Sequence, residues 1–188
     1  MNPPQQKQIA GVVLAAGGSR RMGQPKLLLE WHGDPLVRWV ARTALAAGCN
    51  PLIVVTGSNA TAVESALQDL SLTITRNPDW ERGQSTSVRT GVGALPNDAN
   101  AVIIFLADQP QINVTVVKEL MRTYQENDPP APILIASSGT RRANPVLFDR
   151  SLFDVLTRLE GDAGARTIFA RYPTRLIPIT DPYLDLDV

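Results

Sequence analysis

Leu14-Ala15-Ala16-Gly17-Gly18-Ser19-Arg20-Arg21-Met22-Gly23-Gln24-Pro25-Lys26 directly follows the apolar run Ile9 to Leu14. It reads as a strand running into a phosphate-binding loop. Glycines at 17, 18 and 23 let backbone N–H groups approach an anion, and Arg20, Arg21 and Lys26 add three cations within seven residues. A polyphosphate is the ligand such a loop suits.

Two familiar loops do not fit. A Walker loop places Ser or Thr after its Gly-Lys pair, whereas Gly23 is followed by Gln24 and Pro25, and Lys26 by Leu27. The hydroxyl that would hold magnesium in that loop is missing. Gly17 and Gly18 are adjacent, so no Gly-x-Gly-x-x-Gly dinucleotide fingerprint can be read, and hydride transfer has little support.

Alternation of strand-length apolar runs with helical spacing predicts an α/β domain, a mostly parallel sheet covered on both faces. The expected strands are 9–14, 51–56, 72–75, 101–106, 132–136, 145–148 and 174–179. The expected helices are 35–47, 60–70, 85–94, 114–127, 151–159 and 163–171. Asp34-Pro35 reads as a helix cap and first helical residue, Gly48 as the C-terminal glycine, and Asn127-Asp128-Pro129-Pro130 as a stop. Ligands of open α/β sheets bind beyond the carboxyl ends of the strands. Gly17 to Lys26, Thr56-Gly57, Asn77 to Gly91 and Asp108 all follow expected strands, so they should meet at one edge.

Composition narrows the function classes. The 188 residues suit one domain over residues 1–188, with residues 1–8 a flexible tail. Hydrophobic content of 44% and charged content of 19% are ordinary for a globular chain. Eighteen basic residues balance eighteen acidic ones, which argues against a nucleic-acid partner. The apolar runs are too short to span a bilayer, and no signal-peptide core precedes them, so no membrane partner and a cytoplasmic location are expected. Cys49 is the single cysteine and reads as an inert small hydrophobe; His32, the lone histidine, reads as a surface turn residue.

Leu-Ala-Ala-Gly-x-Ser-x-Arg-Met-Gly-x-Pro-Lys resembles the signature of nucleotidyltransferases that use an NTP. The closest likeness is to the molybdenum cofactor cytidylyltransferase-like (MobA-like) branch. Further matches follow in order: Asn77-Pro78-Asp79-Trp80 with Gly83 to Gly91, Ala107-Asp108-Gln109-Pro110, Asn144-Pro145-Val146-Leu147-Phe148 and Gly161-Asp162-Ala163-Gly164-Ala165-Arg166. The resemblance implies a Rossmann-like three-layer sandwich of the nucleotide-diphospho-sugar transferase-like fold. It implies transfer of CMP from CTP to the phosphate of a molybdopterin-type acceptor, with Mg2+ as cofactor, pyrophosphate as product and a client molybdoenzyme as a further partner. A GTP-using or other transferase, or a non-catalytic carrier of the cofactor, stands as the alternative.

The same resemblance distributes the roles. Leu14, Ala15, Ala16, Gly17, Gly18, Ser19 and Lys26 would hold the nucleotide, with Lys26 on the phosphates and Arg21, or its neighbour Arg20, at the leaving pyrophosphate. Asn77, Ser85, Ser87 and Gly91 belong to the segment expected at the base. Trp80, in the same loop, either anchors the loop or walls the pocket. Asp108 ends a run apolar enough to be a buried central strand, where a carboxylate needs a partner. A turn cap and a metal ligand are both open to it, and its place in the motif favours the metal. Asp162 is either an N-cap or a second metal ligand. Arg141, Arg142 and Asn144 match the region facing the acceptor, and paired arginines suit its phosphate.

Overall fold

The computed structural model describes residues 6–18, 25–127, 131–139 and 141–179. Strands β1 (Ile9–Ala15), β4 (Leu52–Thr56), β5 (Thr73–Arg76), β6 (Ala101–Leu106), β7 (Ile133–Ser138), β8 (Arg141–Asp149) and β9 (Thr174–Pro178) form one sheet in the order β5-β4-β1-β6-β8-β7-β9. Only β8 runs antiparallel to its neighbours β6 and β7. A two-stranded ribbon, β2 (Glu30–Trp31) with β3 (Asp34–Pro35), stands apart from it.

Central strands are apolar on both faces because both are covered. Val13, Val54, Ile103, Phe105 and Leu147 pack in one cluster with Val37, Val40 and Ala44 of α1 (Leu36–Ala47), Val63 of α2 (Ala60–Leu67) and Leu120 and Tyr124 of α4 (Val114–Glu126). Their sequence neighbours Val12, Val55, Ile104, Val146 and Phe148 face the other way. They meet Val88 and Val92 of α3 (Gln84–Gly93) and Leu156 of α5 (Phe153–Leu156). Alternate side chains of a strand point to opposite faces, so the sequence builds the expected three layers. The α3 helix sits close: a Cβ on Gly91 would overlap Val12 Cγ1 and come within 3.0 Å of Val55 Cγ2.

Several boundaries differ from expectation. Asp34 and Pro35 do not begin α1; they form β3, and the Asp34 carboxylate is taken by Arg38 at 3.2 Å and Arg42 at 2.5 Å. Local pairing with Trp31 holds the backbone extended until Leu36. Gly48 does close α1, at φ 100° in the left-handed region. Two expected helices shrink. Residues 151–159 become a 3-10 turn (Arg150–Leu152) followed by the short α5, and 163–171 become a 3-10 turn over Gly164–Ile168. The strand expected at 145–148 begins at Arg141. Lys7 and Gln8 are not a free tail: the Lys7 backbone N–H donates to Gln125 Oε1 at 3.0 Å, and that of Gln8 to Asn100 Oδ1 at 2.8 Å. The Asp128-Pro129-Pro130 part of the expected helix stop lies outside the described residues. Among the described residues no helix is long and apolar enough to cross a membrane.

Candidate active site

Parallel strands deliver their following loops to one edge. The β1–β6 ladder continues one step past the end of β6, where the Ala107 N–H donates to Leu14 O, within β1, at 3.2 Å, and Asp108 follows immediately. On the β1 side the strand continues into Ala16, Gly17 and Gly18, and Pro25 leads into the 3-10 turn Lys26–Leu28 later in the chain. The Ser58 N–H after β4 donates to Ala16 O at 3.3 Å, tying a third strand end to the glycine loop.

Ala16, Gly17, Gly18, Lys26, Asp108 and Asp162 share a cavity of about 440 Å³, with Leu14, Trp80, Glu81 and Ser87 also on its wall. Lys26 Nζ lies 3.2 Å from Asp108 Oδ2, and both side chains keep solvent contact, at 24% and 44% exposure. They are therefore reachable by a ligand. Trp80 walls the pocket, the second of the two roles open to it.

Asp162 lines this cavity without acting as the N-cap, one of the two roles open to it. The capping position before the 3-10 turn is Ala163, with no side-chain bond. Gly83, at φ +109°, lets the start of α3 meet the Gly161–Gly164 turn: a Cβ there would stand 2.9 Å from both Asp162 Cα and Gly161 O. Among the described residues no group of three or more His, Cys, Asp or Glu is arranged to hold a metal ion. Asp108 and Asp162 line one cavity, and a magnesium-type cation takes one or two carboxylates and completes its shell with water and substrate phosphates.

A second cavity, about 530 Å³, adjoins the first and shares Leu14, Gln84 and Leu106 with it. Its floor is apolar, from Ile104, Val146 and Phe148, and its wall includes Arg141, Arg142 and Arg166. The first two lie on β8, not on a loop. Asn144 Nδ2 donates to Gln109 Oε1 at 2.9 Å, linking β8 to the turn after Asp108, and the Arg142 guanidinium stands 5.6 Å from the Phe169 ring centre.

Not every expected contact reaches a cavity. Asn77 is buried as scaffold: its Nδ2 donates to Thr86 Oγ1 at 2.8 Å and Ser87 Oγ at 3.0 Å, and its Oδ1 accepts from the Asp79 N–H at 3.0 Å. Ser85 is buried at the start of α3, with its N–H 3.4 Å from Gly161 O, and Gly91 serves the close packing on Val12. Ala15 is buried within β1, behind Ala16. Ser87 does line the nucleotide-sized cavity. Ser19, Arg20 and Arg21 lie outside the described residues. Gln84, Arg166 and Phe169 are the residues that sequence reasoning passed over. Arg166 stood in a quoted motif, but only the Gly161–Gly164 contact with α3 reveals the side that it serves.

A mostly parallel α/β sheet with a glycine loop, a lysine and Asp108 beyond its strand ends, and with Asp162 brought to the same cavity by the Gly161–Gly164 turn, is the architecture of a nucleotidyltransferase. The chain belongs to the MobA-like NTP transferase family, whose domain model matches residues 11–176. Among curated relatives it is 34% identical to nicotine blue oxidoreductase of Paenarthrobacter nicotinovorans, over 92% of this chain and 86% of that one. It is 32% identical to the purine catabolism protein PucB of Bacillus subtilis, over 85% and 80%. Molybdenum cofactor cytidylyltransferase of Escherichia coli is 29% identical, over 58% and 56%. Of solved structures, Rv0371c of Mycobacterium tuberculosis superposes with a TM-score of 0.85 at 30% identity, covering 98% of this chain and 94% of that one. The same protein's complex with manganese gives 0.77 at 26% identity, over 92% and 89%.

Proposed function

We propose that the protein transfers CMP from CTP to the phosphate of a molybdopterin-type cofactor, with Mg2+, and releases pyrophosphate. The observation that carries this reading is the adjacency of two cavities with complementary walls. One has a glycine loop, Lys26, Asp108 and Asp162; the other has an apolar floor beneath Arg141, Arg142 and Arg166.

Nucleotidyl transfer brings two anions together, so charge must be neutralised and the reacting atoms held in line. Lys26 and the backbone of Gly17 and Gly18 serve the triphosphate. Asp108 and Asp162 would hold the divalent cation, which supplies charge neutralisation across the phosphates when bound. Arg21 retains the leaving-pyrophosphate role implied by its motif. The arginines on the second cavity hold the acceptor's phosphate, and the apolar floor takes its ring system. Handing the product to a client molybdoenzyme in the cytoplasm would complete the reading.

The likeness to nicotine blue oxidoreductase favours a second reading, an oxidation or reduction with nicotine blue as the substrate to try. One experiment separates them. Pyrophosphate release is measured from each NTP with and without molybdenum cofactor, beside nicotinamide dinucleotide oxidation with nicotine blue. Acceptor-dependent pyrophosphate release from CTP supports the first reading. Dinucleotide oxidation without pyrophosphate release supports the second.

A further inference from the structure

Leu14 and Leu106 are register partners on β1 and β6, and both line the two cavities. Gln84, the first residue of α3, also lines both. These side chains form the boundary that a group must cross to pass from nucleotide to acceptor. Charge differs across it. Among the described residues the second cavity's wall holds three arginines and no carboxylate, while the first sets Lys26 among Asp108, Asp162 and Glu81. The leucines offer nothing to a phosphate oxygen. The Gln84 carboxamide offers N–H donors and a carbonyl acceptor without charge, so it can orient a phosphate oxygen without repelling it.

Packing holds that carboxamide at the boundary. Gly164, at φ +57°, faces it without a Cβ; one built there would overlap Gln84 Oε1 and stand 3.0 Å from its Cδ. The turn that carries Asp162 is therefore also the backing of Gln84.

We infer that Gln84 selects the attacking group, admitting the acceptor's phosphate oxygen to the α-phosphorus and keeping water from that line. The inference rests on the nucleotidyl-transfer reading above. In transfer, the acceptor oxygen bonds to the α-phosphorus while the bond to the bridging oxygen breaks, and its electron pair leaves with pyrophosphate. When water attacks instead, the same bond breaks, the nucleoside monophosphate is freed and the water's proton passes to solvent.

The test compares Gln84→Met and Gln84→Asn with wild type. It uses Mg2+, CTP and molybdenum cofactor released from a purified molybdoenzyme, and counts pyrophosphate, coupled product and free CMP. For Gln84→Met the expected result is an unchanged CTP KM and Tm. Coupled turnover falls about tenfold, the scale of one lost transition-state hydrogen bond, and the free CMP share rises. Gln84→Asn, with the amide retained on a shorter arm, should fall between the two. Wild-type turnover and CMP share in Gln84→Met would overturn the inference and leave transfer standing, as would equal losses in CTP KM and Tm. Absence of pyrophosphate release by the wild type from every NTP would remove both.

Discussion

Lys26 Nζ and Asp108 Oδ2 are 3.2 Å apart across the mouth of the nucleotide-sized cavity, one from the loop after β1 and the other from the turn after β6. Each neutralises its partner until a ligand arrives. In the proposed reaction an incoming triphosphate would compete for the lysine, and a divalent cation for the carboxylate.

Lys26→Ala should raise the NTP KM by about tenfold or more while leaving Tm nearly unchanged, because a half-exposed ion pair contributes little to folding. Steady-state kinetics beside thermal melting check this. Parallel losses in both would mean that the lysine is structural.

Asp108→Asn should lower turnover by ~10²–10³, the scale of removing one preorganised electrostatic group. The cation concentration needed for half-maximal rate should rise as well. Turnover close to wild type at the same magnesium concentration would take Asp108 out of the mechanism.

CTP should exceed GTP in kcat/KM, and Ala16→Gly should narrow the difference. Ala16 lines the cavity and is itself buried, so under the proposed reading its methyl would limit the room left for a base. A pocket that hydrogen-bonds one base rejects another by leaving buried groups unpaired. A wild-type preference for GTP would contradict the cytidylyl assignment.

Burial pushes the Cys49 thiol up to about 12, so it stays protonated and inert at neutral pH. A thiol-reactive dye at roughly pH 8 should label almost no native protein and one equivalent after denaturation. Rapid labelling of the native chain would show that the α1–β4 junction opens.

The sheet was legible in the sequence because buried parallel strands are continuous apolar runs, as in Ala101 to Leu106. The glycine loop and Asp108 were legible because they sit directly after such runs. The two short helices near the C-terminal side were not, since the apolar spacing of Phe153, Leu156 and Ile168 is satisfied equally by single turns packed on Phe148. Asn77 misled for a physical reason: a polar side chain followed by Ser85, Thr86 and Ser87 looks like a base reader, yet the Thr86 and Ser87 hydroxyls satisfy its amide internally. Gln84 had no local signal, because its importance comes from Gly164, eighty residues later in the chain.

The reversal of β8 has an engineering corollary. Because this strand alone opposes its neighbours, its opening residues Arg141, Arg142 and Asn144 stand at the edge where β1 and β6 finish. Under the proposed reading the first residues of β8 would form a replaceable cassette, exchanged to accept a different partner molecule while the Leu14–Leu106 pairing keeps its register.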